Sequence, residues 1–234
     1  MKEKIARLKQ RVYFANLLLK KYGLITLTWG NVSEIDRELG LIAIKPSGID
    51  YDSMTACDIV VTDLDGNVVE GDLKPSSDLP THIELYRGFP NIGGVAHTHS
   101  EWATVFSQAQ TSVPMLGTTH ADVFYGDVPC TRGLRADEIA GNYEKATGEV
   151  IVEEFENRDC LAIPGVLVAS HGPFTWGADA VSAVNNSVVL EEVAKMAWHT
   201  LALNKDAVFD KALADKHYYR KHGAFAYYGQ EKKK

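Results

Sequence analysis

The Asp65-Gly66 pair stands between two apolar runs and limits the folds that this chain can adopt. The runs lie within residues 58–70, and an Asp-Gly pair in that setting predicts a hairpin turn. Because a tight hairpin can connect only antiparallel strands, the segment predicts the beginning of an antiparallel sheet.

Helical and extended patterns alternate along the rest of the chain. Apolar residues recur with a helical period over residues 4–22, and Gly23 then provides a stop signal. Further helices are predicted at 80–86, 102–109, 179–203 and 207–221, and strands at 25–33, 40–44, 93–97 and 165–169. We therefore expect an α/β fold, an α/β/α sandwich in which helices cover both faces of a central, mostly antiparallel sheet.

Length and charge limit the classes of protein to consider. The 234 residues contain no evident linker, so we expect one domain over residues 1–230 and a solvated tail at 231–234. A net charge of −7 argues against nucleic-acid binding and favours small-molecule partners. No targeting or membrane-spanning segment is apparent, and three scattered cysteines predict neither a disulfide framework nor a thiolate zinc site. We expect a cytoplasmic protein.

His97 and His99 stand one residue apart at the end of an apolar strand, within GGVAHTHSEWAT. Alternate side chains of a strand share a face, so both imidazoles are expected to point the same way and to form half of a metal site. The competing interpretation is a hydrogen-bonded core histidine beside a solvated one. Other residues must distinguish the two.

His171 and Asp78 are the residues that could complete such a site. His171 follows the apolar strand in PGVLVASHGPFTWG and precedes Gly172-Pro173, where we expect a loop. Asp78 stands before a Pro-initiated helix, so it is either a helix N-cap or a metal-binding carboxylate. Three imidazoles and a carboxylate suit zinc or another divalent ion, with one coordination position left for substrate.

Other metal enzymes also carry His-x-His pairs. The metallo-β-lactamase pattern continues to an Asp-His pair that HTHSEW lacks, and amidohydrolases need a barrel longer than this chain. Cupins are nearly all strand, whereas this sequence is rich in helical segments.

Three short loops, TWGNVS, KPSG and KPSS, combine turn residues with serine hydroxyls or lysine. Loops of this kind can converge into an anion-binding nest, although each alone is also an ordinary turn. None matches a Walker loop or a dinucleotide-binding glycine motif. Together they favour a phosphorylated substrate over a nucleotide.

Seven motifs in this order resemble the class II aldolase/epimerase family and, within it, the L-ribulose-5-phosphate 4-epimerases. The motifs are TLTWGNVS, KPSG, KPSSDLPTH, HTHS, GTTHADVFYG, PGVLVASHGPFTWG and KHYYRKHGAFAYYGQ, and the resemblance extends from the first helix to Gln230. It implies an α/β sandwich with a central antiparallel sheet, assembled as a four-fold symmetric homotetramer whose active sites lie between subunits.

The resemblance also implies a role for individual residues. His97, His99 and His171 would bind Zn²⁺, Mn²⁺ or Co²⁺, with Asp78 as a ligand or close beside the ion. Asp122 and Tyr228 would be the acid/base pair, supplied by the neighbouring subunit. The implied substrate contacts are Gly30, Asn31, Lys45, Ser47, Gly48, Ser76 and Ser77. It leaves the roles of His217, Arg220 and Tyr227 open.

The implied activity is epimerisation at C4 between L-ribulose 5-phosphate and D-xylulose 5-phosphate by cleavage and re-formation of the C3–C4 bond. The nearest alternative is a sugar-phosphate aldolase of the L-fuculose-phosphate type, which carries Glu where this chain has Asp78. An adducin-type scaffold without catalysis is a third, against which the three histidines argue. Whether arabinose catabolism or an ascorbate pathway supplies the pentose phosphate stays open.

Overall fold

The computed structural model describes residues 1–224 and 226–229, and the expected tail at 231–234 lies outside them. The helices of this part are α1 (Lys2–Lys21), α2 (Leu79–Gly88), α3 (Glu101–Gln108), α4 (Thr118–Ala121), α5 (Ala136–Ala140), α6 (Tyr143–Glu154), α7 (Ala180–Leu203) and α8 (Lys211–Tyr219). The strands are β1 (Asn31–Asp36), β2 (Leu41–Ile44), β3 (Val60–Asp63), β4 (Val68–Glu70), β5 (Gly94–His97), β6 (Gly165–Val168) and β7 (Gly172–Gly177).

The seven strands form one sheet in the order β4-β3-β2-β1-β5-β7-β6, and every neighbouring pair is antiparallel. The β3–β4 hairpin contains Asp65-Gly66 as expected, and Gly66 has a φ of +85°. Glycine adopts that left-handed conformation without the steric cost that a β-carbon brings. The local turn chemistry thus determines the direction in which the chain re-enters the sheet.

Helices cover both faces of this sheet, which confirms the expected α/β/α sandwich. Val32 and Ala96 lie in a buried cluster with residues of α1 and α7, such as Leu19. Adjacent residues of a strand point to opposite faces, so Val95, which precedes Ala96, packs in a second cluster with Ile83 of α2 and with side chains of α6. The two-residue period of the strands therefore divides the core into two layers.

The structure differs from the sequence-based predictions in three places. Strand β1 starts at Asn31 rather than at residue 25, because residues 26–29 form a turn in which Leu27 has a φ of 53°. The loop expected after His171 is a tight turn that leads at once into β7. Helices α5 and α6 were not predicted, since the apolar period of residues 136–154 is weak.

Two further expectations concern the cysteines and the membrane. Cys57, Cys130 and Cys160 are all free. In the part of the chain that the structure describes, no helix has both the length and the apolar character that crossing a bilayer requires.

Candidate metal centre

Strand pairing brings the three histidines of the candidate metal centre together. His97 is the last residue of β5 and pairs with Phe174 of β7, so the end of β5 lies beside the start of β7. The turn before β7 places His171 at the same edge, and Ser170 in that turn has a φ of 61°. Gly172 allows the close approach, because a β-carbon there would lie 2.8 Å from the Thr98 carbonyl oxygen.

One ligand nitrogen from each of His97, His99 and His171 lies within 4.8 Å of the others. The Nδ1 of His97 donates to the Pro173 carbonyl oxygen at 3.0 Å, which leaves its Nε2 with a free lone pair. That Nε2 lies 3.1 Å from the Nε2 of His99. Two nitrogens this close need a proton or a metal ion between them, so the donor set fits a divalent cation.

The environment keeps these imidazoles in the neutral form that binds metals. Burial lowers the pKa of His97 and of His99, and it lowers the pKa of His171 to about 3. Neighbouring contacts hold the rings in place: His97 stacks on Phe174 with centroids 4.1 Å apart, and the Tyr143 hydroxyl lies 3.3 Å from Nδ1 of His171. Neutral, oriented imidazoles are suited to ligate a divalent ion.

Asp78 occupies the N-cap position of α2, yet its side chain makes no capping hydrogen bond. Its Oδ2 instead accepts from the Asn31 side-chain amide at 2.6 Å. Burial opposes ionisation of Asp78, but His97, His82 and the Asn31 hydrogen bond together keep the pKa of its carboxyl below the usual value. The carboxylate therefore does not cap the helix; it lines the same cavity as the histidines, and the group of three ligand nitrogens within 4.8 Å of one another does not include it.

Asp78 and the histidines open into a cavity of about 460 Å³ that the TWGNVS, KPSG and KPSS loops also line. The KPSG and KPSS loops are joined by two backbone hydrogen bonds, from Ser47 N to Lys74 O and from Ser76 N to Lys45 O, both 3.0 Å long. All the residues implied as metal or substrate contacts line this one cavity: Gly30, Asn31, Lys45, Ser47, Gly48, Ser76, Ser77, Asp78, His97, His99 and His171.

Asp122 and Tyr228 lie together in a different place, outside the lining of that cavity. Asp122 accepts two hydrogen bonds of 2.9 Å from Arg220, and it also pairs with His217 and Lys221 at 3.0 Å each. Burial raises the pKa of Asp122, but these three partners outweigh that effect and keep it lowered. The Tyr228 ring covers Lys221 and Arg220, so the two expected acid/base residues share one cationic cluster.

Four residues at or beside the metal centre and its cavity were not predicted from the sequence. Trp29 and Thr28 line the cavity, and their only signal was their place inside the TWGNVS loop. Tyr143 begins α6, and nothing in its local sequence connects it with His171. His82 is fully buried behind Asp78, where its Nδ1 lies 2.7 Å from the Ser33 hydroxyl.

Comparisons with known proteins agree with this fold. An L-fuculose 1-phosphate aldolase structure is 27% identical over 90% of this chain and 94% of that one, with a TM-score of 0.76. L-Fuculose 1-phosphate aldolases from Glaciozyma antarctica and Thermus thermophilus share the fold. The first is 19% identical, with a TM-score of 0.77 over 96% of this chain and 85% of that one. The second is 22% identical, with a TM-score of 0.69 over 88% of this chain and all of that one.

The match to a known family rests on most of the chain. Residues 10–198 match the family described as the class II aldolase and adducin N-terminal domain. This segment contains the three histidines, Asp78 and all the loops of the cavity. The chain therefore belongs to the class II aldolase and adducin N-terminal domain family.

Proposed function

We propose that the protein is an isomerase that interconverts L-ribulose 5-phosphate and D-xylulose 5-phosphate by inverting C4. One observation carries this proposal: a cluster of three imidazoles and three loops suited to bind a phosphate line the same cavity. A ketopentose phosphate has a carbonyl near one end and a phosphate at the other, so it matches both halves of the cavity.

Different residues of the chain would bind the two ends of the substrate. His97, His99 and His171 would hold Zn²⁺, Mn²⁺ or Co²⁺ with Asp78 beside them, and the bound ion supplies Lewis acidity at the carbonyl end of the substrate. Lys45 and the loop serines hold the phosphate end through a charge and hydroxyl or backbone donors. Both ends of the substrate are thereby held in place while the C3–C4 bond reacts.

Inversion at C4 cannot proceed by simple deprotonation, because the C4 hydrogen is not α to the C2 carbonyl. Cleavage of the C3–C4 bond provides a route. The C4 hydroxyl gives up its proton to a base and becomes an aldehyde, while the bonding electron pair passes to C3. The fragments are glycolaldehyde phosphate and the enediolate of dihydroxyacetone. If the aldehyde turns over before C3 attacks it again, the C4 oxygen regains its proton in the opposite configuration, and no net oxidation or reduction occurs.

This reaction needs a proton-transfer group on each side of C4, and we assign the roles to Asp122 and Tyr228. Both would come from a neighbouring chain in a homotetramer with active sites between subunits. Two features support the assignment: the cationic cluster holds Asp122 in the ionised form in which a base begins the reaction, and Tyr228 is 63% exposed and so accessible to another chain. The sequence resemblance supports the tetramer.

The decisive test is incubation of zinc-loaded protein with L-ribulose 5-phosphate, followed by NMR of the products. Formation of D-xylulose 5-phosphate supports the epimerase. Cleavage of L-fuculose 1-phosphate into two released fragments, without epimerisation of the pentose, would favour the aldolase alternative suggested by the 27% identical structure. No turnover of either sugar would favour a scaffold.

A metal-ligand variant provides the control for this test. We expect His99→Ala to lose most of the bound ion and the activity together, because two imidazoles hold a divalent ion less tightly than three. Full metal occupancy of that variant by elemental analysis would contradict the assignment of the ligands.

A further inference from the structure

Trp29 is a large aromatic side chain that lines the cavity of the candidate metal centre. Its residue surface is 53% exposed, and its ring centroid lies 6.0 Å from that of His99 with the planes inclined by 43°. Because about half of the residue faces solvent, packing in the protein core does not explain why a tryptophan stands here. The indole instead forms part of the cavity wall beside His99.

The backbone that carries this indole is held from several sides. Tyr51, which is 2% exposed, donates its hydroxyl proton to the carbonyl oxygens of Gly30 at 2.8 Å and Trp29 at 3.3 Å. The Trp29 N–H in turn donates to the Thr26 carbonyl oxygen at 3.1 Å. A β-carbon on Gly30 would lie 2.9 Å from the His97 carbonyl oxygen, so this backbone rests directly on the histidine strand. The backbone that carries the indole is therefore held in place.

A retro-aldol epimerase differs from an aldolase in that it must not release the aldehyde fragment. It has to keep the aldehyde fragment in place while the aldehyde group turns over, and the loops around Lys45 hold only the phosphate end of that fragment. The aldehyde end is small and uncharged, so it is easily lost to solvent. A flat aromatic wall excludes water and contacts C–H groups without binding the carbonyl oxygen, and it therefore retains the fragment but lets it rotate.

We propose that Trp29 retains the aldehyde fragment between bond cleavage and re-addition, and that it thereby sets the ratio of epimerisation to fragment release. This inference rests on the proposed function. It makes Trp29 a specificity-determining residue that chooses between epimerase and aldolase outcomes at one and the same metal centre.

The test measures how often the fragment escapes. Wild-type, Trp29→Ala and Trp29→Phe proteins convert L-ribulose 5-phosphate in the presence of ¹³C-labelled glycolaldehyde phosphate, and NMR follows both the epimer and the label in the pentose phosphate pool. We expect label incorporation per epimerisation event to rise about tenfold in Trp29→Ala and to stay near the wild-type value in Trp29→Phe, which keeps an aromatic wall.

Tyr22→Ala is the matched control, because Tyr22 is an aromatic residue of similar exposure, 45%, that does not line the cavity. Zinc content and thermal unfolding check that each variant is folded. If wild-type protein epimerises and Trp29→Ala shows the same incorporation ratio, the role of Trp29 is refuted while the proposed function stands. If wild-type protein only releases fragments, both the epimerase proposal and the retention role are refuted.

Discussion

At the scale of single residues, Lys45 has an unusual property, since it is a lysine with only 1% of its surface exposed. Burial lowers its pKa to about 8, against a smaller opposing effect of Asp50. Under the proposed function its charge holds the substrate phosphate, so kcat/KM should fall by up to about tenfold per pH unit above pH 8 as the free enzyme loses this proton. A pH profile of kcat/KM measures this directly.

Lys45→Met provides the comparison. We expect this variant to be about 10- to 100-fold less efficient near pH 7, because a charge-assisted hydrogen bond is lost, and to lack the decline near pH 8. Stability offers a second readout: between about pH 8 and the ordinary lysine value of 10.5, the unfolded chain holds the proton more tightly than the folded one. The free energy of unfolding should therefore rise with pH across this window in wild-type protein relative to Lys45→Met. An identical kcat/KM profile in both proteins would contradict the role of Lys45.

At the scale of secondary-structure elements, the contact between β5 and the start of α7 positions the histidines. A β-carbon on Gly94 would lie 2.3 Å from the carbonyl oxygen of Asp179 and 2.4 Å from the backbone nitrogen of Ala180. Backbone atoms cannot rotate away, so Gly94→Ala must separate strand and helix. We expect a loss of about 1–3 kcal/mol or more in the free energy of unfolding, measured by chemical denaturation, and a lower zinc content because His97 is on the same strand.

Gly133→Ala is the matched control for the Gly94→Ala substitution. A β-carbon at Gly133 meets nothing within 4 Å, and the residue has no positive φ. It should leave stability within about 0.5 kcal/mol of wild type. Wild-type stability of Gly94→Ala would show that α7 is not packed against β5 as tightly as the structure indicates.

At the scale of the whole molecule, the expected catalytic groups lie in two separate places. The histidine cavity and the Asp122–Tyr228 cluster share no lining residue. If neighbouring chains of a homotetramer complete each other's sites, a mixture of inactive His97→Asn and inactive Tyr228→Phe proteins should regain activity. In a random 1:1 mixture about a quarter of the sites combine an intact histidine set with an intact tyrosine.

Native mass spectrometry of the mixture supplies the necessary control, because it shows whether the two variants exchange subunits. Mixed tetramers without any recovered activity would contradict the shared site. Activity in isolated monomers of the wild-type protein would contradict it as well.

The local features of this molecule could be predicted from the sequence, because turn chemistry and side-chain period are properties of neighbouring residues. Asp65-Gly66 determines a hairpin through the conformational freedom of glycine, and alternation along β5 determines that Val95 and His97 share a face. The same reasoning failed over residues 25–30, where an apolar, β-branched pattern suggested a strand. Leu27 and Gly30 instead adopt positive φ values, because the backbone there turns against the end of β5.

Local patterns were thus sufficient to predict the sandwich fold and the residue types that can bind a metal ion and a phosphate. How those residues are used could not be predicted, because it depends on contacts between distant segments. Pairing of β5 with β7 brings His171 to His97, and the Asn31 amide donates to the Asp78 carboxylate, which makes no capping hydrogen bond. Packing of α8 on α4 surrounds Asp122 with cations, and the buried Tyr51 hydroxyl holds the backbone that carries the indole wall. No local pattern encodes these contacts, since each one depends on where the rest of the chain has already folded.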